Sequence, residues 1–213
     1  MRFILYLFVL MTLSSSHEAF SQSSYEKMLR AVEEGDFKEV KLLLDRGMDP
    51  NTTDSKGNSI LMIAARKGAA EIVSLLVARR ANVAQRSPVG DTALLMASLN
   101  GDLRVIRELL SAGAELNPGN GWTPLHYAAF SGKADAVRLY LDVGAEKDAV
   151  APNGYTALML ATRNGHVEAA KAVLYADPDV NFRAPGGETA LGIARKRNMK
   201  EVEELLVRGG AVE

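Results

Sequence analysis

The sequence has no cysteine, a single tryptophan and only three histidines among 213 residues. Without cysteine there can be no disulfide, no thiolate metal site, no thiol nucleophile and no Cys-linked lipid anchor. The compartment stays open, because a chain of this length buries enough apolar surface to fold without bridges. An excess of one charge is missing too: 25 Lys and Arg stand against 26 Asp and Glu, a formal net charge of −1. Bulk electrostatics therefore point neither to nucleic acid nor to an anionic membrane. Also absent is any apolar run of the about 20 residues that span a bilayer. What is present is 47% apolar and 24% charged, the balance of a chain that folds.

The longest apolar run is Phe3 to Leu13, interrupted only by Thr12 and preceded by Met1 and Arg2. A polar stretch from Ser14 to Glu18 ends it, and Ala19-Phe20-Ser21 offers small residues where a signal peptidase reads. A positive start, a short apolar centre and a polar exit describe a secretory signal peptide over residues 1–21, cut before Gln22. The alternative is a retained anchor, for which the run is short. The expected location is therefore outside the cytoplasm, a periplasm first and the extracellular space second, with no stable membrane insertion once the signal is removed.

The rest of the chain repeats. Gly57, Gly90, Gly121, Gly154 and Gly187 head five similar stretches at spacings of 33, 31, 33 and 33. Two residues after each stands Ser or Thr (Ser59, Thr92, Thr123, Thr156, Thr189), and four after each stands Leu. Ser and Thr cap helix N-termini, and the Pro or Ala that follows in most copies suits the first turn, so a short helix is expected to begin at each site. Gly35, Gly68, Gly101, Gly132, Gly165 and Asn198 are placed to end one. A second helix follows with apolar residues at helical spacing, such as Val105, Ile106, Leu109 and Leu110. Helices this short need neighbours to hold them, which predicts an all-α solenoid of stacked helix-turn-helix units.

The unit resembles the ankyrin repeat. Gly121-Trp122-Thr123-Pro124-Leu125-His126-Tyr127-Ala128-Ala129 is similar to that family's opening signature, Asn164-Gly165-His166-Val167-Glu168 to the start of its second helix, and Gly113-Ala114-Glu115-Leu116-Asn117 to its exit. The resemblance covers residues 24–213 and implies short hairpin fingers between units. It divides the chain into a cap at 24–56, repeats at 57–89, 90–120, 121–153 and 154–186, and a cap at 187–213. Charged residues such as Glu26, Arg30 and Glu34 at one end, and Lys200, Glu201 and Glu204 at the other, suit the outward faces of caps.

Two departures from the pattern are informative. Units of this kind place Gly after the second helix, where the chain turns left-handed; Gly47, Gly113, Gly144 and Gly210 comply, whereas Arg80 and Asp177 stand in the other two units. Strain or a rearranged turn is expected at Arg80. The 31-residue unit omits two residues near Asn117-Pro118-Gly119-Asn120, which shortens its finger.

Chemistry-bearing motifs are few. His126 and His166, the histidines beyond the signal, sit where the family uses structural histidines, and no HExxH, nucleophile elbow or metal-spaced carboxylate set accompanies them. Gly119 and Gly121 lack the Lys-Ser/Thr of a phosphate loop. Met62, Met96 and Met159 share one slot and read as core filler. The expectation is a non-enzyme with no cofactor and no metal.

The resemblance implies a protein or peptide partner, no nucleic acid, held by the finger tips and the exposed ends of the first helices. On this chain Trp122 and Tyr155 share a finger slot one period apart, Leu99 and Phe130 follow on the first helices, and Arg66 and Arg163 flank them. Trp, Tyr and Arg dominate interface hot spots, so these six residues form the expected binding patch on a monomer. A structural scaffold or cap in an envelope assembly is the alternative from another class, and a cytosolic regulator is the reading if the signal is unused.

Overall fold

In the computed structural model residues 23–119 and 121–212 are described; the expected signal peptide at 1–21, with Gln22, Asn120 and Glu213, lies outside them. Twelve helices, and no strand, make up the described residues. A first helix, α1, spans 23–34. It is followed by α2 (Phe37–Asp45), α3 (Ile60–Lys67), α4 (Ala70–Ala78), α5 (Ala93–Asn100), α6 (Leu103–Ser111), α7 (Pro124–Phe130), α8 (Ala134–Asp142), α9 (Ala157–Arg163), α10 (Val167–Leu174), α11 (Ala190–Lys196) and α12 (Lys200–Arg208). Odd helices from α3 to α11 stack on one another in one layer, and even helices stack in a second. This is the all-α solenoid that the repeat predicts.

The expected caps are in place. Ser59, Thr92, Thr123, Thr156 and Thr189 each precede a helix of the odd layer, and each side chain accepts from the backbone N–H three residues on. Gly35, Gly68, Gly101, Gly132, Gly165 and Asn198 all turn left-handed between the two helices of a unit. Gly132 also carries the next unit: a Cβ there would lie 2.6 Å from Nδ1 of His166, whose Nε2 bonds the Phe130 carbonyl at 3.0 Å.

One continuous core runs from Met28 to Ala211. Alanines on the odd helices (Ala64, Ala97, Ala128, Ala161, Ala194) are wholly buried and let adjacent helices approach closely. Met62 and Met159 are buried in that core and Met96 packs against it. Within it lies a polar pair. The Ser98 hydroxyl donates to the Leu94 carbonyl at 2.7 Å, so its oxygen takes the proton of Tyr140 at 2.6 Å. Burial pushes the Tyr140 phenol well above its ordinary range, which keeps it a neutral donor.

Units are also joined by side-chain amides and carboxylates below the fingers. Asn51 accepts from Asn82 N–H at 2.7 Å, Asn117 from Glu146 N–H at 2.9 Å, Asp148 from Asp179 N–H at 2.8 Å, and Asn181 from Val212 N–H at 2.8 Å. Each of these acceptors stands four residues after the left-handed residue that follows its unit's second helix, and in the second unit, four after Arg80, that slot holds Ala84, which has no polar side chain to offer. The gap is spanned instead by an exposed ion pair, Arg86 to Glu115 at 3.0 Å, a weak substitute in water.

Arg80 and Asp177 adopt the left-handed conformation with φ of 63° and 52°, so the turn is kept and not rearranged. Arg80 N–H reaches the Val77 carbonyl and Ala81 N–H the Leu76 carbonyl, both at 2.9 Å, the same closure as at Gly47. At Asp177 the following Pro178 cannot donate the second bond; Nζ of Lys147, from the neighbouring unit, bonds the Ala176 and Asp177 carbonyls.

Two stability predictions follow from these sites. Arg80→Gly removes a Cβ from a left-handed residue, a relief of about 1–2 kcal/mol, partly offset by the greater freedom of glycine in the unfolded chain. The net gain is about 0.5–1 kcal/mol, seen by calorimetry as a rise of roughly 1–4 °C in Tm; an unchanged or lower Tm removes the strain account. Ala84→Asn restores the missing acceptor and is expected to raise the urea midpoint by the equivalent of about 0.5–1.5 kcal/mol, with no gain expected from Ala84→Ser, whose hydroxyl falls short.

Candidate functional site

The third unit differs from its neighbours where its finger meets α7. In four units the residue three before the head glycine donates its N–H to the carbonyl one after it: Asp54 to Asn58, Ser87 to Asp91, Ala151 to Tyr155, Ala184 to Glu188, at 2.8–2.9 Å. Pro118 occupies this position in the third unit and has no N–H, so the two-residue deletion comes with loss of the finger's own pairing. Trp122 is placed by side chains instead. Its indole meets His126, Tyr127 and Phe130 edge-on, with ring centroids 6.0, 5.7 and 6.5 Å away and interplanar angles near perpendicular. Each such contact adds about 0.5–1.5 kcal/mol beyond burial.

Behind the tryptophan the helix start is locked. Thr123 and His126 form a reciprocal capping box: Thr123 Oγ1 accepts from His126 N–H at 3.2 Å and His126 Nδ1 accepts from Thr123 N–H at 3.1 Å. With Nδ1 accepting, the ring proton sits on Nε2, which donates to the Ala149 carbonyl of the next finger at 2.8 Å. Burial lowers the His126 pKa, and the bond to Ala149 works weakly the other way. His126 is the tightening histidine that the sequence suggests.

Between the finger and the helix ends lies an apolar recess of about 220 Å³ lined by Leu99, Trp122, Tyr127 and Phe130. Phe130 leaves 47% of its surface in water at the recess edge. The Tyr127 hydroxyl, which would spoil an apolar wall, is turned away and donates to Asp91 Oδ1 at 2.8 Å; burial and that carboxylate raise its pKa. Sequence reasoning missed Tyr127, because its slot next to His126 reads as framework; only its ring contact with Trp122 reveals it.

The structure brings Leu99, Trp122 and Phe130 together and sets Tyr155 in a separate group. Tyr155 donates to Glu188 Oε2 at 2.5 Å and lies under the Arg163 guanidinium, 4.9 Å from its ring centroid. The hydrogen bond to Glu188 is the main reason its phenol pKa is raised. Arg66 is exposed in the last turn of α3, at the other end of the same layer. Among the described residues no cluster of three or more His, Asp or Glu is arranged to hold a metal ion, and no helix is long and apolar enough to cross a membrane.

Known proteins similar to this chain share its repeat. The family described as ankyrin repeats (3 copies) matches residues 28–120 and 95–184. An E3 ubiquitin-protein ligase of Arabidopsis thaliana is 38% identical over 124 residues, 56% of this chain and 24% of the ligase. An ankyrin repeat-containing protein of Treponema pallidum is 36% identical over 123 residues, 56% of this chain and 41% of that protein. The chain thus spans less than half the length of these curated relatives. Among solved structures, an ankyrin repeat domain from Acinetobacter baumannii superposes with a TM-score of 0.76 at 28% identity, covering 87% of this chain and 98% of the other.

The neutral His126 gives a pH prediction. Its native pKa lies below the ordinary 6.5, so the unfolded state takes up the proton first. The stability it contributes is complete above pH 6.5 and is lost as pH falls through that value towards the lowered native pKa. Urea unfolding at pH 7.5 and pH 5.0 should show the wild type losing stability over this interval and His126→Gln, weaker throughout, losing less; parallel losses contradict the assignment.

Proposed function

The chain belongs to the ankyrin-repeat family, and from that premise we propose that it is a non-catalytic protein-binding module whose contact surface is centred where the units 90–120 and 121–153 meet. Ankyrin repeats are generally protein–protein interaction modules. The single observation that supports a contact site here is the recess of half-buried Leu99, Trp122 and Tyr127 with exposed Phe130 at its edge, a concave apolar surface that gathers three aromatic rings. Phe130 supports Trp122 with one ring edge and leaves nearly half of its surface open to a partner. The partner's side chain that fills the recess would meet ring faces and edges on three sides, the arrangement of an interface anchor.

We also infer that the module works outside the cytoplasm, after removal of residues 1–21. Support for this comes from the sequence order of Arg2, the apolar run and Ala19-Phe20-Ser21. Mass spectrometry of the protein from its native host should find Gln22 at the N-terminus; an intact Met1 end in the cytosolic fraction overturns export.

Phe130→Ala tests the contact site, because removal of a half-exposed ring with one edge contact should lower stability by about 1–2 kcal/mol, a few degrees in Tm, and leave the chain folded. Affinity capture from the fraction that holds the native protein is expected to lose its partner with Phe130→Ala, while the chain stays folded. Capture of the same partner at undiminished yield by both Phe130→Ala and Trp122→Ala would move the site elsewhere.

A further inference from the structure

Charge is sorted between the two helix layers. The odd helices α3, α5, α7, α9 and α11 contain no Asp or Glu. Their C-terminal ends instead expose Arg66 and Lys67 on one side of the aromatic recess, and Arg163, Lys196 and Arg197 on the other. None of these five cations is in a described ion pair with a carboxylate of the chain. Arg195, on the same layer, is tied to Glu203 at 2.9 Å and is set aside. Acidic residues gather on the even layer: Glu71, Glu108, Asp135, Asp142, Glu168, Glu201 and Glu204. Two finger carboxylates do reach this side, and each is held by a phenol, Asp91 by Tyr127 and Glu188 by Tyr155. From α3 to α11 this face thus presents a positive strip with an apolar centre, ended at α1 by the exposed Glu33 and Glu34 that stand in the slots of Arg66 and Lys67.

We propose that this strip takes an acidic, extended peptide segment with a large apolar side chain at its centre. The proposal rests on the recess being the contact site. The apolar side chain enters between Leu99, Trp122, Tyr127 and Phe130, and carboxylates to either side meet Arg66 and Lys67 at one end and Arg163, Lys196 and Arg197 at the other. Lengths agree: α3 to α11 is four helix spacings of about 8–10 Å, roughly 35 Å, which about ten extended residues cover. A folded or nucleic-acid polyanion fits less well, because the cations are separated by an uncharged aromatic centre with no positive charge to follow a continuous backbone. Complementary charge here sets partner choice and association rate, and the apolar anchor sets residence.

Selection of random dodecapeptides displayed on phage against the immobilised full chain tests this without knowledge of the natural partner. Enriched peptides are expected to be net acidic with one Phe, Tyr, Trp or Leu near the middle. A synthetic enriched peptide should bind at least tenfold more weakly to Phe130→Ala. A similar loss is expected with the paired reversal Arg66→Glu and Lys67→Glu, or Lys196→Glu and Arg197→Glu, all exposed positions where melting should not change. Binding should also fall several-fold between 50 and 500 mM NaCl. Enriched peptides that need Phe130 but are neutral or basic overturn the acidic preference and leave the contact site standing. Peptides indifferent to Phe130→Ala, or no enrichment, overturn both. Tighter binding of a single-stranded oligonucleotide than of any selected peptide at equal salt assigns the strip to nucleic acid and overturns the peptide.

Discussion

Every helix in this chain depends on the helices stacked against it. From α2 to α12 they run seven to nine residues, below the about 12–15 at which a helix persists alone in water. What holds them is apolar burial between neighbouring units, continuous from Met28 to Ala211. Stacking at a fixed pitch in turn requires each unit to turn at the same places, so the left-handed residues and the Ser/Thr caps act as spacers that keep the register of the core. This explains why a left-handed turn survives even where Arg80 must make it: losing the turn would displace Leu76 and Val73, both fully buried, at far greater cost than a strained backbone.

The same stacking makes the architecture readable from sequence. Head glycines, caps and buried alanines recur because the geometry recurs, so the period and the cap residues led to the all-α solenoid and the helix starts at Ser59, Thr92, Thr123, Thr156 and Thr189. The resemblance to ankyrin repeats marked Arg80 and Asp177 as standing where the chain turns left-handed, with strain or a rearranged turn expected at Arg80. Side-chain direction was less legible. Trp122 and Tyr155 share a slot by count, which suggested a common patch, yet the structure gives Trp122 to the rings of its own unit and Tyr155 to Arg163 and Glu188. Register fixes where a Cα lies but not which neighbour wins the side chain; that is decided by local competition. The Ser98–Tyr140 pair was invisible for a related reason, since it is a contact between units and leaves no spacing signal within one, while Tyr127 was hidden by a slot that reads as framework until its ring is seen against Trp122.

Polar groups divide into those that serve the stack and those left over. His126 bonds the carbonyl of Ala149 in the finger of its own unit and His166 that of Phe130 in the preceding unit, Asn51, Asn117, Asp148 and Asn181 bridge successive fingers, and Asp91 and Glu188 are taken by tyrosines. Among the described residues no buried side-chain nitrogen or oxygen lacks a partner. Buried side-chain polar groups are therefore all engaged in holding the stack, and recognition has to use what the stack does not consume: exposed cations at the ends of the odd helices and the aromatic recess between them.

That recess falls at the junction that follows the finger without its own pairing, between the units 90–120 and 121–153, and the coincidence has a physical basis. A paired finger fixes the carbonyl after the head glycine and leaves its side chain pointing where the hairpin dictates. With Pro118 unable to donate and two residues gone, the finger of the third unit is shorter, and the residue at this slot must find its support elsewhere. A tryptophan can do so because its large ring reaches His126, Tyr127 and Phe130 together. A smaller side chain would leave the shortened finger without an anchor. The aromatic set therefore both repairs the irregular unit and opens the apolar surface beside it, which is why structural support and partner contact are combined in Trp122 and are separable only at Phe130, the ring farthest out into water.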